Sequence, residues 1–146
     1  AFTEASPSDI EAVSSITHAH ATSVEACLLY VAIARRLLKG EQLSEILSGL
    51  ETSKTYVRLQ TLAELTEDDI RSSGYVVDTL EAALWCLLTS ASYPETVLKA
   101  VNLGDDTDTV AAVAGGLAGI IYGLEGIPDN WLAQLRHKEL LESCLF

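Results

Sequence analysis

Residues 102–123 read NLGDDTDTVAAVAGGLAGIIYG. Three carboxylates, Asp105, Asp106 and Asp108, stand beside Thr107 and Thr109 in a polar break, and a run of small and aliphatic residues follows from Val110. The break ends one helix and starts another; the pattern predicts a helix over 110–124. Gly115 and Gly119 lie four apart on one face of it, and Ala111 extends that face. Glycine inside a helix costs roughly 1 kcal/mol relative to alanine, so neighbouring Gly115 and Gly116 need a packing reason. The expectation is a central helix whose small face admits its neighbours closely. Leucine at 115 or 119 would then overpack it, at roughly 1–3 kcal/mol.

The flanking sequence is also helical in pattern. Ser8 and Glu11 have capping-box spacing for a first helix running to about Thr17, and Thr22 and Glu25 repeat that spacing. A second helix then runs to Gly40, with Val24, Cys27, Leu28, Val31 and Leu38 as its apolar positions. Leu43, Ile46, Leu47 and Leu50 make a short amphipathic helix that Gly49 weakens at its end. A polar helix is expected over 51–63, and a turn capped by Thr66 and Asp69 after it. A buried helix runs from Val76 or Val77 to Leu88, and another from Tyr93 and Pro94 to Val101. Pro128 opens a short helix containing Trp131, Leu132 and Leu135, and the final residues form one more turn or helix. The fold class is all-α, a single helical domain over 1–146 with no internal repeat or linker.

The totals restrict function. A chain of 146 residues can bury one ordinary core, and its 49% hydrophobic content argues against disorder. A net charge of −12 argues against duplex nucleic acid, which needs a basic surface, and against an anionic membrane. The longest uncharged stretch, 109–124, is short for a membrane span. Cys27, Cys86 and Cys144 form no CxxC pair and are expected as buried thiols of a reducing compartment. The opening AFTEASPSDIEAV lacks the basic start and apolar run of a secretory signal, so the expected location is the cytoplasm. The chain opens without methionine, as a processed chain or a piece of a longer one would.

The acidic break carries the chemistry. Oxygen ligands this dense at a helix start suit a hard divalent cation such as Mg2+, with Asp106, Asp108 and Thr109 best placed to ligate it. Asp106 and Asp108 are two apart and do not share a face on a regular helix, so the turn must bring them together. The same residues fit a second reading, with Asp108 as helix cap and Asp105 closing an Asx turn. A calcium loop counted from Asp106 would need glycine at Ala111 and a carboxylate at Leu117. No Walker A or GxGxxG pattern occurs. His18 and His20, two apart between the first helices, serve either as loop hydrogen-bonding groups or as ligand contacts, and His137 sits on a solvated face. Tyr75, after Gly74, either stacks on a base or sugar or packs into the core. No nucleophile–base pattern stands out.

The stretch LGDDTDTVAAVAGGLAGIIYG resembles the C-terminal signature of the ADP-ribosylglycohydrolase family, approximately GGDxDTxAAxxGxxxGxxxG. ITHAHATSVEACLLYVAIARRLLKG is similar to that family's histidine-containing helix junction. SGYVVDTLEAALWCL resembles the helix preceding its metal signature, and IYGLEGIPDNWLAQL matches the family's order of elements. The resemblance implies an orthogonal multi-helix fold, present as its C-terminal portion. It implies a Mg2+ or Mn2+ pair ligated in part by Asp106, Asp108 and Thr109, with Asp105 at a place often held by glycine. It further implies an ADP-ribose cleft lined by Gly74 and Tyr75, with His18 near the substrate. The implied activity is hydrolysis of an ADP-ribosyl N- or O-glycosidic bond on an ADP-ribosylated substrate. Family enzymes are longer, and their N-terminal half brings a glutamate and an aspartate pair that have no match here. That departure implies a complementing N-terminal chain or a homo-oligomer, or else an inactive helical interaction protein or an ADP-ribose-binding module.

Overall fold

Eight α-helices and three 3-10 segments succeed one another in the computed structural model, which describes residues 4–144. Among those residues there is no strand. The helices are α1 (Pro7–Ser14), α2 (Ala21–Leu38), α3 (Leu43–Ser48), α4 (Val76–Leu88), α5 (Tyr93–Asn102), α6 (Thr107–Tyr122), α7 (Asp129–Gln134) and α8 (Lys138–Cys144). None of the helices in this range is long and apolar enough to cross a membrane.

The first two helix starts differ from the sequence expectation. The capping box at α1 belongs to Ser6 and Asp9, two residues earlier than Ser8 and Glu11. Asp9 N–H donates to Ser6 Oγ, and Ser6 N–H donates to the Asp9 carboxylate at 2.8 Å. Pro7 supplies a preset φ at the first helical position. At α2 the cap is His20, whose Nδ1 accepts from Thr22 N–H at 3.2 Å. Glu25 instead reaches across the chain and accepts from Ser53 N–H and Oγ, both at 2.8 Å.

The buried stripe of α2 is Ala26, Leu29, Ile33 and Leu37. The expected set is rotated away from it: Val24, Cys27, Leu28 and Val31 are half-buried, and Leu38 is exposed. The expected helix over 51–63 is an irregular stretch followed by a 3-10 segment, Val57–Glu64, kinked at Thr61. Three residues per turn put Leu59 and Leu62 on one side, and both are fully buried. Tyr56, wholly buried, anchors this stretch by donating its hydroxyl to Thr22 O at 2.9 Å. Burial raises its pKa. The Thr66–Asp69 capping box forms as expected.

α4 is buried on nearly every side from Val77 to Leu87, as its unbroken apolar run requires. Its Glu81 carboxylate meets Arg58 Nη1 at 3.2 Å. α6 packs on α2, α4 and α5, which is the central placement that its composition predicts. The face that it buries is Val110, Ala114, Leu117 and Ala118 rather than the glycine face. A Cβ on Gly119 would meet nothing within 4 Å, whereas one on Gly116 would lie 2.5 Å from Tyr30 Oη. The Tyr30 hydroxyl donates to Val113 O at 3.2 Å. A Cβ on Gly115 would lie 3.4 Å from Tyr93 Oη and 3.6 Å from Val97 Cγ2 of α5, so the expected close face holds at Gly115 and fails at Gly119, and the tightest approach is at Gly116, where a tyrosine of α2 crosses α6. Gly123, at φ +68° and ψ −178°, takes a conformation open essentially only to glycine and ends α6.

Candidate metal centre

α5 ends at Asn102, α6 begins at Thr107, and the acidic residues occupy the reversal between them. Two successive residues there have positive φ, Gly104 at +92° and Asp105 at +53°. Glycine takes this region freely, whereas Asp105 bears a cost of roughly 1 kcal/mol. The reversal puts Asp106 at the cap position of α6, with φ −87° and ψ 59°. Its carboxylate makes no hydrogen bond to the helix backbone. Asp108 lies inside the first turn of α6 and is exposed, so it is not the cap.

The Asp106 carboxylate has two distinct environments. Oδ1 accepts the Thr109 hydroxyl at 2.9 Å. That donation leaves both lone pairs of the threonine oxygen available. Oδ2 faces Gly74, where a Cβ would sit 3.2 Å away. Glycine at 74 leaves clear the space beside this oxygen that any side chain would crowd. Two carboxylates and a hydroxyl are hard donors of the kind that Mg2+ and Mn2+ take, and the cradle at Gly74 leaves one oxygen free for such an ion. Among the described residues no three His, Cys, Asp or Glu side chains group as a metal-ligand set.

The segment before α4 forms the opposite wall. Ser72, buried, accepts Asp106 N–H at its carbonyl (3.0 Å) and donates Oγ to Gly104 O (2.9 Å). Ser73 Oγ donates to the Asp78 carboxylate at 2.6 Å, and Thr79 Oγ1 donates to the carbonyls of Ser73 and Tyr75. Tyr75 sits at the start of α4 and is 56% exposed, which overturns its alternative place in the core. Of the residues singled out by sequence, Asp106, Thr109 and Gly74 are brought together, with Asp108 and Tyr75 in the adjoining first turns. His18 is exposed, with Nδ1 3.0 Å from Thr17 Oγ1; its contacts do not tie it to this turn. Ser72 and Ser73 carry no motif or spacing in the sequence that would mark them for this wall.

Beside this wall lies an open cavity of about 640 Å3, lined by Arg58, Leu65, Asp68, Asp69, Arg71 and Asp78. Arg58 spans its edge, pairing with Glu81 and donating Nη2 to Asp69 O at 2.9 Å. Burial pushes the Glu81 carboxyl above the ordinary glutamate value, and Arg58 offsets part of that rise.

The family model described as ADP-ribosylglycohydrolase matches residues 3–145. The chain belongs to the ADP-ribosylglycohydrolase family. It is 39% identical over 140 residues to a protein of Pseudomonas putida (strain GB-1) named ADP-ribosylarginine hydrolase Tri1, covering 91% of this chain and 38% of that protein. It is 32% identical over 136 residues to the ADP-ribosyl-[dinitrogen reductase] glycohydrolase of Rhodospirillum rubrum, covering 90% of this chain and 45% of that protein. A solved chain from an ADP-ribosylglycohydrolase-related protein complex superposes with a TM-score of 0.80 at 31% identity, over 94% of this chain and 50% of the solved one. This member of the family thus has the ADP-ribosylglycohydrolase fold over a span of half, or less, of these relatives' own length.

Proposed function

We propose that this chain supplies the Asp106–Asp108–Thr109 share of a Mg2+ or Mn2+ pair in an enzyme that hydrolyses an ADP-ribosyl N- or O-glycosidic bond. The observation that carries the reading is the Asp106 carboxylate, with one oxygen on Thr109 and the other kept clear by Gly74. The relatives named as ADP-ribosyl hydrolases give the substrate class. When bound, the metal pair supplies charge neutralisation and activation of water. Asp106, Asp108 and Thr109 hold the ions, and the Thr109 hydroxyl also donates to the Asp106 carboxylate. Gly74 leaves room for the ribose, and the exposed Tyr75 ring offers a stacking face for ADP-ribose. His18 contributes a polar contact from the α1–α2 junction. The missing ligands and the general base come from an N-terminal portion, a complementing chain or a second copy. The exposed Val13 and Ile16, just before His18, suit such a covering partner.

Calorimetric titration of the chain with Mn2+ tests the metal reading. The parent should bind saturably, and Asp106→Ala combined with Asp108→Ala should abolish binding. Equal binding by both, or none by the parent, refutes it. Tyr75 favours a second reading, an ADP-ribose-binding module, which ADP-ribose binding without turnover in the completed assembly would select.

A further inference from the structure

We propose that Ser72 is the positioning residue of the acidic turn and sets the affinity of Asp106 for a divalent cation. The inference rests on the metal reading above and concerns a residue outside the ligand set.

The turn has little structure of its own. The last backbone bond of α5 is long, Leu103 N–H to Ala100 O at 3.4 Å, and α6 begins with Val110 N–H to Asp106 O at 3.2 Å. Between them come Gly104 and Asp105, both left-handed, a conformation that does not propagate a helix. Ser72 bridges this gap from outside. Its hydroxyl holds Gly104 O, and its carbonyl holds Asp106 N–H, so the two bonds straddle Asp105. Ser72 is 4% exposed, so water does not readily replace either bond.

The bracket is itself fixed. Ser73 is tied to Asp78 and Thr79, and Tyr75 to Thr79, which builds the 72–75 segment onto the first turn of α4. The position of Asp106 is therefore referenced to α4 as well as to its own helix. The same segment carries Gly74, so the Ser72 bonds also set the spacing between Gly74 and Asp106 Oδ2. Metal ligands must be held within about 0.5 Å of their working geometry. Loss of a group that orients a ligand typically costs about 10–100-fold in metal affinity.

The test compares the 146-residue parent with Ser72→Ala and Ser92→Ala. Ser92 caps α5 at the end remote from the turn, so its loss destabilises the same helix without touching the bracket. Mn2+ affinity is read from the paramagnetic resonance of free Mn2+, the melting midpoint from circular dichroism, and the Asp106 amide from hydrogen exchange. Ser72→Ala removes the hydroxyl bond to Gly104 O and keeps the carbonyl bond to Asp106 N–H; with one side of the bracket gone the turn should loosen, weakening Mn2+ binding about tenfold and speeding exchange at Asp106. Ser92→Ala should lower the midpoint and keep the parent affinity. Parent-like affinity in Ser72→Ala, or equal weakening in both variants, overturns the inference alone. A parent that binds no Mn2+ overturns the metal reading and this inference together.

Discussion

The crossing of Tyr30 over α6 gives a prediction whose sign depends on one hydroxyl. Alanine exceeds glycine in a helix interior by about 0.8–1.0 kcal/mol. At Gly119 a new Cβ meets nothing within 4 Å, so Gly119→Ala should gain nearly that full amount. At Gly116 the Cβ would fall 2.5 Å from Tyr30 Oη, and the ring tip must withdraw by about 1 Å to reach ordinary contact. Withdrawal breaks the 3.2 Å bond to Val113 O, worth about 0.5–1.5 kcal/mol. Moving a half-buried ring adds about 1 kcal/mol of repacking cost. Gly116→Ala should therefore destabilise by about 1 kcal/mol despite its better helix propensity. Tyr30→Phe removes the obstructing atom, and the next, Cζ, lies at 3.9 Å. In that background Gly116→Ala should stabilise by about 1 kcal/mol, a coupling of about 2 kcal/mol across the cycle. Urea unfolding of the four proteins, extrapolated linearly to water, measures it. Additive effects, or a Gly116→Ala gain equal to that of Gly119→Ala, would refute the argument.

Two further outcomes follow from burial. The native state holds the Glu81 proton to higher pH than the unfolded chain does, because burial raises the carboxyl above 4.5, Arg58 opposes the rise and Asp78 adds to it. Protons bound preferentially by the native state make this contribution fall as pH climbs through that interval. Urea midpoints from about pH 4 to 8 should show the parent losing stability relative to Glu81→Gln as pH rises, and a constant or growing parent advantage would contradict it. Cys86 is fully buried, and its thiol is pushed up to about 12 by burial, whereas Cys144 is exposed and Cys27 half-buried. Thiolates are the reactive form, so a thiol reagent should label Cys144 first and Cys86 only on unfolding; a single rate for all three thiols would count against this packing.

How much of the fold could be read from sequence depended on how one-sided each element is. α4 and α6 are apolar over whole turns, so their central position was legible, as was the extent of α4; α6 instead spans Thr107–Tyr122 rather than 110–124, taking Asp108 and Thr109 into its first turn and ending at Gly123. α2 carries apolar residues around most of its circumference. Periodicity there fits Val24, Cys27, Leu28 and Val31 as well as the stripe actually buried, Ala26, Leu29, Ile33 and Leu37, and only the neighbours choose between them. In the 57–64 segment Leu59 and Leu62 are three apart, a spacing that an α-helix and a 3-10 helix share. What held the segment in place was Tyr56 donating to Thr22, 34 residues away. The expectation that all three thiols are buried held at Cys86, held only in part at half-buried Cys27 and failed at exposed Cys144, since short-range composition says nothing of which neighbouring element covers a helix.

The site divides in the same way, with a consequence for its chemistry. Asp106 and Thr109 are three apart, and their contact follows from local helix geometry, so it was legible. The Ser72 bonds to Gly104 and Asp106 join residues more than 30 apart, and nothing in the SSG sequence announces them. Within this chain Asp106 is oriented by Thr109 from α6 and by Gly74 and Ser72 from the segment built on α4. On the proposed reading, these contacts reference the turn to α4 and α6, whatever supplies the remaining ligands. A complementing portion would then contribute ligands and a base to a carboxylate already in place, and the ordering cost of this half of the site would be met before the metal arrives.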